Sequence, residues 1–334
     1  MGRGPVEHAR LRIGTLGAAR ITPLALLRPA RIVREVEVLA VAARDAARAR
    51  RFAARHGIAR VHSSYEELIA DPELDAIYNP LPNGLHCEWT IRALEAGKHV
   101  LCEKPLASNA DEARRMVEAA ERAGRVLVEA FHWRYHPLAE RMRSVVASGV
   151  LGRVRHVEAS LCIPLPIFSD IRYRFDLAGG ATMDAGCYPV SIVRHLADAE
   201  PEVVSATARL ASPDVDRFMR AELRFPDGSS GRITCSLFST TLLRVEARVL
   251  GDAGDMHVLN PIAPQFYHRL RVSTQAGRML ERVSGEATYT HQLRAFARAV
   301  QQGEKVPTDG AHGVANMTVI DAIYRKAGMR LRGS

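Results

Sequence analysis

Residues 12–22 read RIGTLGAARIT, an apolar β-type run that meets a glycine and passes directly into a helical stretch. A dinucleotide-binding fold places its glycine turn at such a junction, where backbone amides and a helix N-terminus receive a pyrophosphate. The strict G-x-G-x-x-G spacing starts at Gly17 but continues Ala18, Ala19, Arg20, Ile21, Thr22, so only the first glycine is kept. Ala19 still lets a phosphate approach the backbone, and Thr22 replaces the glycine that packs helix on strand. A tight strand-to-helix turn with no ligand is the other reading of these eleven residues, and what surrounds them decides between the two.

The surroundings alternate. RLRIGTL, EVEVLAVAA, DAIYNP, HVLCEKP and RVLVEAF are short β-type runs, separated by helical stretches such as DAARARRFAARHG and NADEARRMVEAAERAG. Repeated strand–helix–strand units call for a parallel sheet covered on both faces, the doubly wound arrangement, with ligands at the carboxyl ends of the strands. From about residue 132 the pattern changes to alternating strands with a Pro-Asp-Gly turn in RFPDGSSG, which predicts antiparallel hairpins. The fold class is therefore α/β: a Rossmann domain over 1–131, then an α/β domain with an open, mostly antiparallel sheet over 132–334. The closing helical stretches YTHQLRAFARAVQQG and AHGVANMTVIDAIYRKAG fall in the second segment.

Composition excludes several classes. With 334 residues and 47% hydrophobic content the chain can bury two cores. No apolar run reaches the roughly 20 residues of a membrane span, and MGRGPVEHAR carries no apolar leader segment, so the cytoplasm is expected. Five cysteines, Cys87, Cys102, Cys162, Cys187 and Cys235, show no CxxC pair and are expected as reduced core residues. The 13 histidines lack zinc spacing, so no metal is expected. A net charge of +9 is spread over helical stretches rather than gathered into a basic stripe, which argues against nucleic acid and leaves either a solvated surface or attraction of an anionic cofactor.

Two positions speak to the cofactor and the chemistry. At the end of the second β-type run, AVAARDA places Arg44 where an acidic residue would bind the ribose 2′-hydroxyl of NAD. A guanidinium favours a 2′-phosphate, so NADP(H) is expected, with NAD(H) possible through Asp45, which is otherwise a helix cap. Of 46 basic residues only Lys98, Lys104, Lys305 and Lys326 are lysines. Lys104, in VLCEKPL at a strand end, therefore calls for explanation beyond charge, because an ammonium shifts its pKa readily and arginine does not.

The segments GTLGAARI, YNPLPNGLHCEW, AGKHVLCEKPL, EAFHWRYHP, GGATMDAGCYPV and ANMTVIDAIYRKAG, in this order, resemble the glucose-fructose oxidoreductase / inositol dehydrogenase (Gfo/Idh/MocA) superfamily over nearly the whole chain. The resemblance implies a nicotinamide held between the two domains, with Lys104 beside it, Asp184 in the same pocket and Tyr188 as proton donor. Tyrosine at that position is typical of the branch with dihydrodiol dehydrogenases, aldose dehydrogenases and ketosugar reductases. Hydride transfer to a carbonyl needs a proton delivered to its oxygen, and a nearby ammonium is expected to lower the tyrosine's pKa and to stabilise a developing alkoxide. Asp184 would keep Lys104 charged or bind a substrate hydroxyl.

By the same resemblance, Asn79, Pro80, Leu81 and Asn83 run under the cofactor riboses, with His86 opening the next helix. Glu103 would orient the nicotinamide ribose, and Arg172 in SDIRYRF would reach cofactor or substrate. Phe131, Trp133, Arg134 and Tyr135 are expected as a pocket wall, or else as a buried strand end. The implied function is an NADP-dependent oxidoreductase acting on a small polar substrate, a sugar or ketosugar. Alternatives are a trans-dihydrodiol or other non-sugar alcohol dehydrogenase, and a non-catalytic dinucleotide sensor, since the superfamily includes a transcriptional co-repressor. A homodimer or homotetramer through the second sheet is implied as well.

Overall fold

The computed structural model describes residues 10–333; most of the amino-terminal stretch read above for a leader lies outside them. β1 (Leu11–Leu16), β2 (Val36–Ala42), β3 (Arg60–His62), β4 (Ala76–Asn79), β5 (His99–Cys102) and β6 (Leu127–Glu129) form one parallel sheet in the order β3-β2-β1-β4-β5-β6. The order reverses between β1 and β4, so the loops after these two strands open a crevice at the carboxyl edge. Side chains at helix starts explain the strand-to-helix punctuation. Asp45 accepts from the amides of Ala47 and Arg48 to open α2 (Ala46–His56), and Asn109 accepts from Glu112 N to open α5 (Ala110–Ala123). Both helices stop at glycines in the left-handed region, Gly57 and Gly124.

β3 and the short α3 (Tyr65–Ala70) are additions to the sequence reading. Their signal is Ser64-x-x-Glu67: Ser64 Oγ accepts from Glu67 N at 3.1 Å, and Glu67 reaches back to Ser63 N at 2.9 Å. α4 (His86–Glu95) completes the cover of one face.

The second sheet has eight strands: β7 (Val154–Cys162), β8 (Glu202–Ser212), β9 (Val215–Arg224), β10 (Ser230–Ser236), β11 (Arg244–Gly251), β12 (Gly254–Leu259), β13 (Arg269–Thr274) and β14 (Gly277–Glu281). The order is β14-β13-β12-β11-β7-β10-β9-β8; β10 and β7 are parallel and every other neighbouring pair is antiparallel. The Pro226–Gly228 turn joins β9 to β10, as the sequence predicts. α7 (Cys187–Ala197) packs against β7, β10 and β11. Charged side chains run across neighbouring strands in ion pairs, among them Glu222–Arg232, Arg232–Glu158 and Glu158–Arg248.

The closing helices do not stay with the second sheet. Tyr289, Leu293, Phe296 and Ala297 of α8 (Thr288–Gln302) pack with Leu11, Ile13, Ala76, Tyr78 and Leu101 under the six-stranded sheet. A chain cut at 131/132 separates the two sheets, yet α8 lies beyond the cut and covers the first. α9 (Gly310–Lys326) packs on α5, α7 and β8 and so touches both lobes. All five cysteines are buried and free, and no helix among the described residues is long and apolar enough to cross a membrane.

Behind the second lobe lies a buried charge. Asp216, at the start of β9, accepts from Thr182 N and Oγ1 (both 2.7 Å), from Tyr324 OH (3.1 Å) and from Arg332 Nη2 (3.1 Å). Arg332 and Asp216 are both fully buried, and Arg332 Nε also donates to Gly179 O at 2.7 Å. Removing one member strands the other charge, which costs on the order of 3–5 kcal/mol. Asp216→Ala is expected to lose about that much in urea unfolding; a midpoint equal to that of the unaltered protein would show that the pair contributes nothing.

Candidate functional site

A cleft of about 980 Å³ lies between the two lobes. Its entrance on the sheet side is the turn after β1. Gly17 holds φ at +82°, a left-handed conformation that favours glycine, and its amide donates to Ala42 O at 2.6 Å. Ala18, Ala19, Arg20 and Ile21 follow along the wall. The chain then enters a widened π-helical turn, Pro23–Leu27, that runs on into α1 (Arg28–Ala30). Arg44 and Arg48 stand at the same end, where Arg48 Nη2 donates to Ala18 O at 2.7 Å. The Asp45 carboxylate caps α2 through Oδ1 and also lines this end of the cleft, beside the two guanidiniums.

The loop after β4 forms the floor. Pro80, Leu81, Asn83 and His86 line the cleft, but Asn79 does not. Asn79 is buried beneath, donating to His86 O (3.3 Å) and Thr90 Oγ1 (3.1 Å) while accepting from Leu81 N (3.3 Å). It therefore shapes the loop without lining the cleft, because its amide satisfies backbone groups that two flanking prolines leave unpaired. His86 is fully buried with its ring between Leu81 O and Pro105 O, each 2.8 Å away. Asn83 reaches across to Ala178 O at 3.2 Å and ties the floor to the second lobe.

The chemistry-bearing groups converge where the lobes meet. Lys104 leaves the end of β5, and its ammonium donates to Asp184 O at 2.9 Å and lies 3.7 Å from Asp184 Oδ1. Burial disfavours the ammonium, but the charges of Asp184, Cys187 and Glu103 outweigh that and raise its pKa above the ordinary lysine value. Asp184 sits in a second π-helical turn, Thr182–Gly186, that leads into α7; such widened turns recur at functional sites. Its other oxygen takes Arg172 Nε at 3.0 Å, and Arg172 also holds Asp170 at 3.1 Å. Glu103 is buried and accepts from Tyr78 OH at 2.7 Å; burial raises its pKa.

Tyr188, one turn beyond Asp184, lines the cleft with the Lys104 ammonium 4.8 Å from its ring centroid. Its pKa runs opposite to the sequence expectation. Burial, followed by the negative potential of Cys187, Glu103, Asp184 and Glu129, pushes the phenol well above 10 rather than below it. The group therefore holds its proton at neutral pH.

The aromatic stretch after β6 divides. Phe131 does not line the cleft; it is fully buried behind Tyr188 and packs edge-on against it, with ring centroids 5.4 Å apart. Trp133, Arg134 and Tyr135 do not line the cleft. A turn of 3₁₀ helix over His132–Tyr135 directs them elsewhere: Trp133 packs on His195, Arg134 Nη1 meets the His195 ring, and Tyr135 OH pairs with Thr308 Oγ1 at 2.6 Å. The residue passed over in that stretch is His132, whose Nε2 is 3.1 Å from Tyr188 OH. Tyr289, from α8, also lines the cleft, and only the return of that helix to the first sheet brings it there.

A parallel sheet with a glycine turn at its switch point, and a lysine and a protonated tyrosine where a second lobe closes over it, define a dinucleotide-type oxidoreductase architecture. Residues 11–131 match the oxidoreductase family with an NAD-binding Rossmann fold, and residues 139–257 match the GFO/IDH/MocA C-terminal domain. The chain is 37% identical over 318 residues to D-xylose 1-dehydrogenase (NADP(+)) 2 of Haloferax volcanii, covering 95% of this chain and 97% of that one. It is 36% identical over 230 residues to a trans-1,2-dihydrobenzene-1,2-diol dehydrogenase of Sus scrofa, covering 68% and 67%. The crystal structure of a 3-ketoreductase from Actinomadura kijaniata with NADP and TDP-benzene superposes with a TM-score of 0.88 at 30% identity, over 95% of this chain and 98% of that one. The protein belongs to the GFO/IDH/MocA family and is an oxidoreductase.

The Lys104–Asp184 contact sets a measurable sign. In Asp184→Asn the attraction that raises the lysine is lost while burial remains, so the Lys104 pKa is expected to fall below the ordinary 10.4. With four lysines in the chain, labelled-lysine NMR titration reads it directly. A Lys104 titration unmoved by the substitution would show that Asp184 does not hold its charge.

Proposed function

We propose that the protein is an NADP(H)-dependent oxidoreductase that interconverts a carbonyl and a hydroxyl group of a sugar or ketosugar. The observation that carries this reading is the convergence of the Lys104 ammonium, the Asp184 carboxylate and the protonated Tyr188 phenol on one cleft large enough for a dinucleotide and a small substrate. The lining fits the cofactor. The turn after β1 offers its backbone to a pyrophosphate, and Arg44 with Arg48 offers positive charge where the 2′-phosphate of NADP would lie.

When bound, the nicotinamide supplies or accepts the hydride. The protein's part is proton and charge management. Lys104 donates to the carbonyl oxygen and stabilises the alkoxide charge as it develops, and Tyr188 gives its proton to that oxygen in reduction and takes it back in oxidation. Asp184 keeps Lys104 charged, and with Arg172 and Asp170 it presents acceptors and donors to substrate hydroxyls. Because Arg172 is matched by Asp170 and Asp184, this wall is close to charge-balanced, which suits an uncharged polyhydroxylated ligand.

Two measurements test the reading. Fluorescence titration is expected to show NADPH binding about 10–100-fold tighter than in Arg44→Ser, with NADH little changed, as for loss of a charge-assisted hydrogen bond. Equal loss for both coenzymes would remove the phosphate role of Arg44. A screen of aldoses, ketosugars and trans-diols with the preferred coenzyme is expected to find turnover on a sugar. Lys104→Ala should cut that kcat by about 10²–10³ while coenzyme binding persists. Turnover on diols alone would move the assignment to a non-sugar alcohol, and coenzyme binding with no turnover on any of them would leave a sensor.

A further inference from the structure

The Tyr188 hydroxyl lies between the cleft and a buried imidazole. His132 forms no part of the cleft wall. Its Nε2 is 3.1 Å from Tyr188 OH, and its Nδ1 is 2.8 Å from Thr288 Oγ1, the first residue of α8. The Tyr289 ring lies over it with centroids 4.0 Å apart and planes 34° from parallel, which fixes the plane of the imidazole. Burial, then the Lys104 charge, lowers the His132 pKa to about 3, so the ring is neutral at working pH, with one N–H and one lone pair.

Two arrangements satisfy these distances. In one, Tyr188 donates to Nε2 and Nδ1–H donates to Thr288; the phenolic proton then points away from the cleft and is withheld from a substrate. In the other, Thr288 donates to Nδ1, and Nε2–H donates to the phenol oxygen. The phenolic proton is then free to face the cleft, and the phenolate left after its transfer already has a donor in place. Only the second serves a tyrosine that acts as an acid.

We propose that His132, held by Thr288 as the Nε2–H tautomer, is a positioning residue that donates to Tyr188, turns its proton into the cleft and stabilises the phenolate that follows. This rests on the role of Tyr188 proposed above. In reduction the carbonyl carbon receives the hydride from the reduced dinucleotide and the carbonyl oxygen receives the Tyr188 proton. The phenolate regains a proton from solvent after product leaves, and His132 neither gains nor loses one. The other charged or titratable groups facing this pair are Glu103 and Lys104 after β5, Glu129 on β6, Asp184 in the widened turn, Cys187 at the start of α7 and Tyr289 on α8, while His312 on α9 packs on Phe131 and meets Glu129. Lys104 already carries positive charge that opposes the carboxylates, so a neutral donor at His132 adds phenolate stabilisation without further charge.

The test compares the unaltered protein with His132→Phe, His132→Gln and Thr288→Val, using the carbonyl/alcohol pair found in the screen. His132→Phe should lower kcat for reduction by about 10–100-fold and move the pH at which alcohol oxidation gains activity upward by about one unit, with NADPH affinity within about twofold. His132→Gln, whose amide places an N–H near the Nε2 position, should recover most of that kcat, and Thr288→Val should shift both quantities in the same direction by about 3–10-fold in kcat. A folded His132→Phe with the original kcat and pH profile overturns the proposal, as does His132→Gln no better than His132→Phe. If His132→Phe does not fold, Thr288→Val with an unaltered profile does so instead. Histidine ¹⁵N NMR of the unaltered protein, assigned by difference with His132→Gln, gives a readout independent of turnover: protonation at Nε2 is expected, and protonation at Nδ1 overturns the proposal. Absence of turnover on every substrate would sink the functional reading, while the tautomer measurement still decides the inference.

Discussion

One contact joins the two lobes at the point where the chemistry converges: the Lys104 ammonium against the backbone carbonyl and carboxylate of Asp184. It links the end of β5 in the parallel sheet to the widened turn of the second lobe. Its energetics are those of a largely buried charge, for which the cost of leaving water is offset only when a partner and further hydrogen bonds are in place. Asp184 supplies the carbonyl and the opposite charge, and Arg172 takes the other carboxylate oxygen, so neither member of the pair is left with an unsatisfied charge.

Asp184 can hold that position because its turn is held from behind. Thr182, two residues earlier, is fixed through both its amide and its hydroxyl by Asp216, and Asp216 is fixed by Tyr324 and Arg332. Arg332 also donates to Gly179 O, at the entrance to the turn, and its own carbonyl accepts from Asn109 Nδ2, the residue that caps α5 of the first lobe. Arg332 thus bonds to both lobes and helps to secure the turn that carries Asp184. A buried ion pair of this kind is weak evidence for stability against an apolar replacement, but it is specific about geometry.

Much of this was legible in the sequence. The Gly17 turn, the Arg44 charge, Lys104 at a strand end, and Asp184 four residues before Tyr188 all line one cleft. Gly17, Arg44 and Lys104 were readable from local rules, a glycine at a strand-to-helix junction and residues at strand ends, whereas Asp184 and Tyr188 were named through the family resemblance. The misreadings came where position depends on distant packing. Trp133, Arg134 and Tyr135 look like a pocket wall as a string of large side chains, but one turn of 3₁₀ helix sends them into the core and toward Thr308. His132 was passed over because its partners, Thr288 and Tyr188, are 156 and 56 residues away in sequence. The placement of α8 was hidden for a related reason: its apolar stripe shows that it packs, but not on which sheet. α3 was an oversight of a local kind, since Ser64-x-x-Glu67 announces it.

The pKa of Tyr188 shows how opposing fields act on one phenol. Sequence reasoning took the ammonium as the dominant neighbour and did not weigh burial or the carboxylates against it. In the folded protein burial comes first, and Glu103, Asp184 and Glu129 add negative potential, so the phenol keeps its proton. In the proton transfer proposed above, the ammonium would act on the anion. At a separation near the 4.8 Å seen to the ring, a unit charge attracts a phenolate by roughly 3 kcal/mol at an effective dielectric constant of about 20. That attraction acts on the anion alone, since a neutral phenol gains little from it. In the role proposed for Tyr188, such a balance would favour release of the proton only to an oxyanion forming close by. The same balance disfavours a free phenolate.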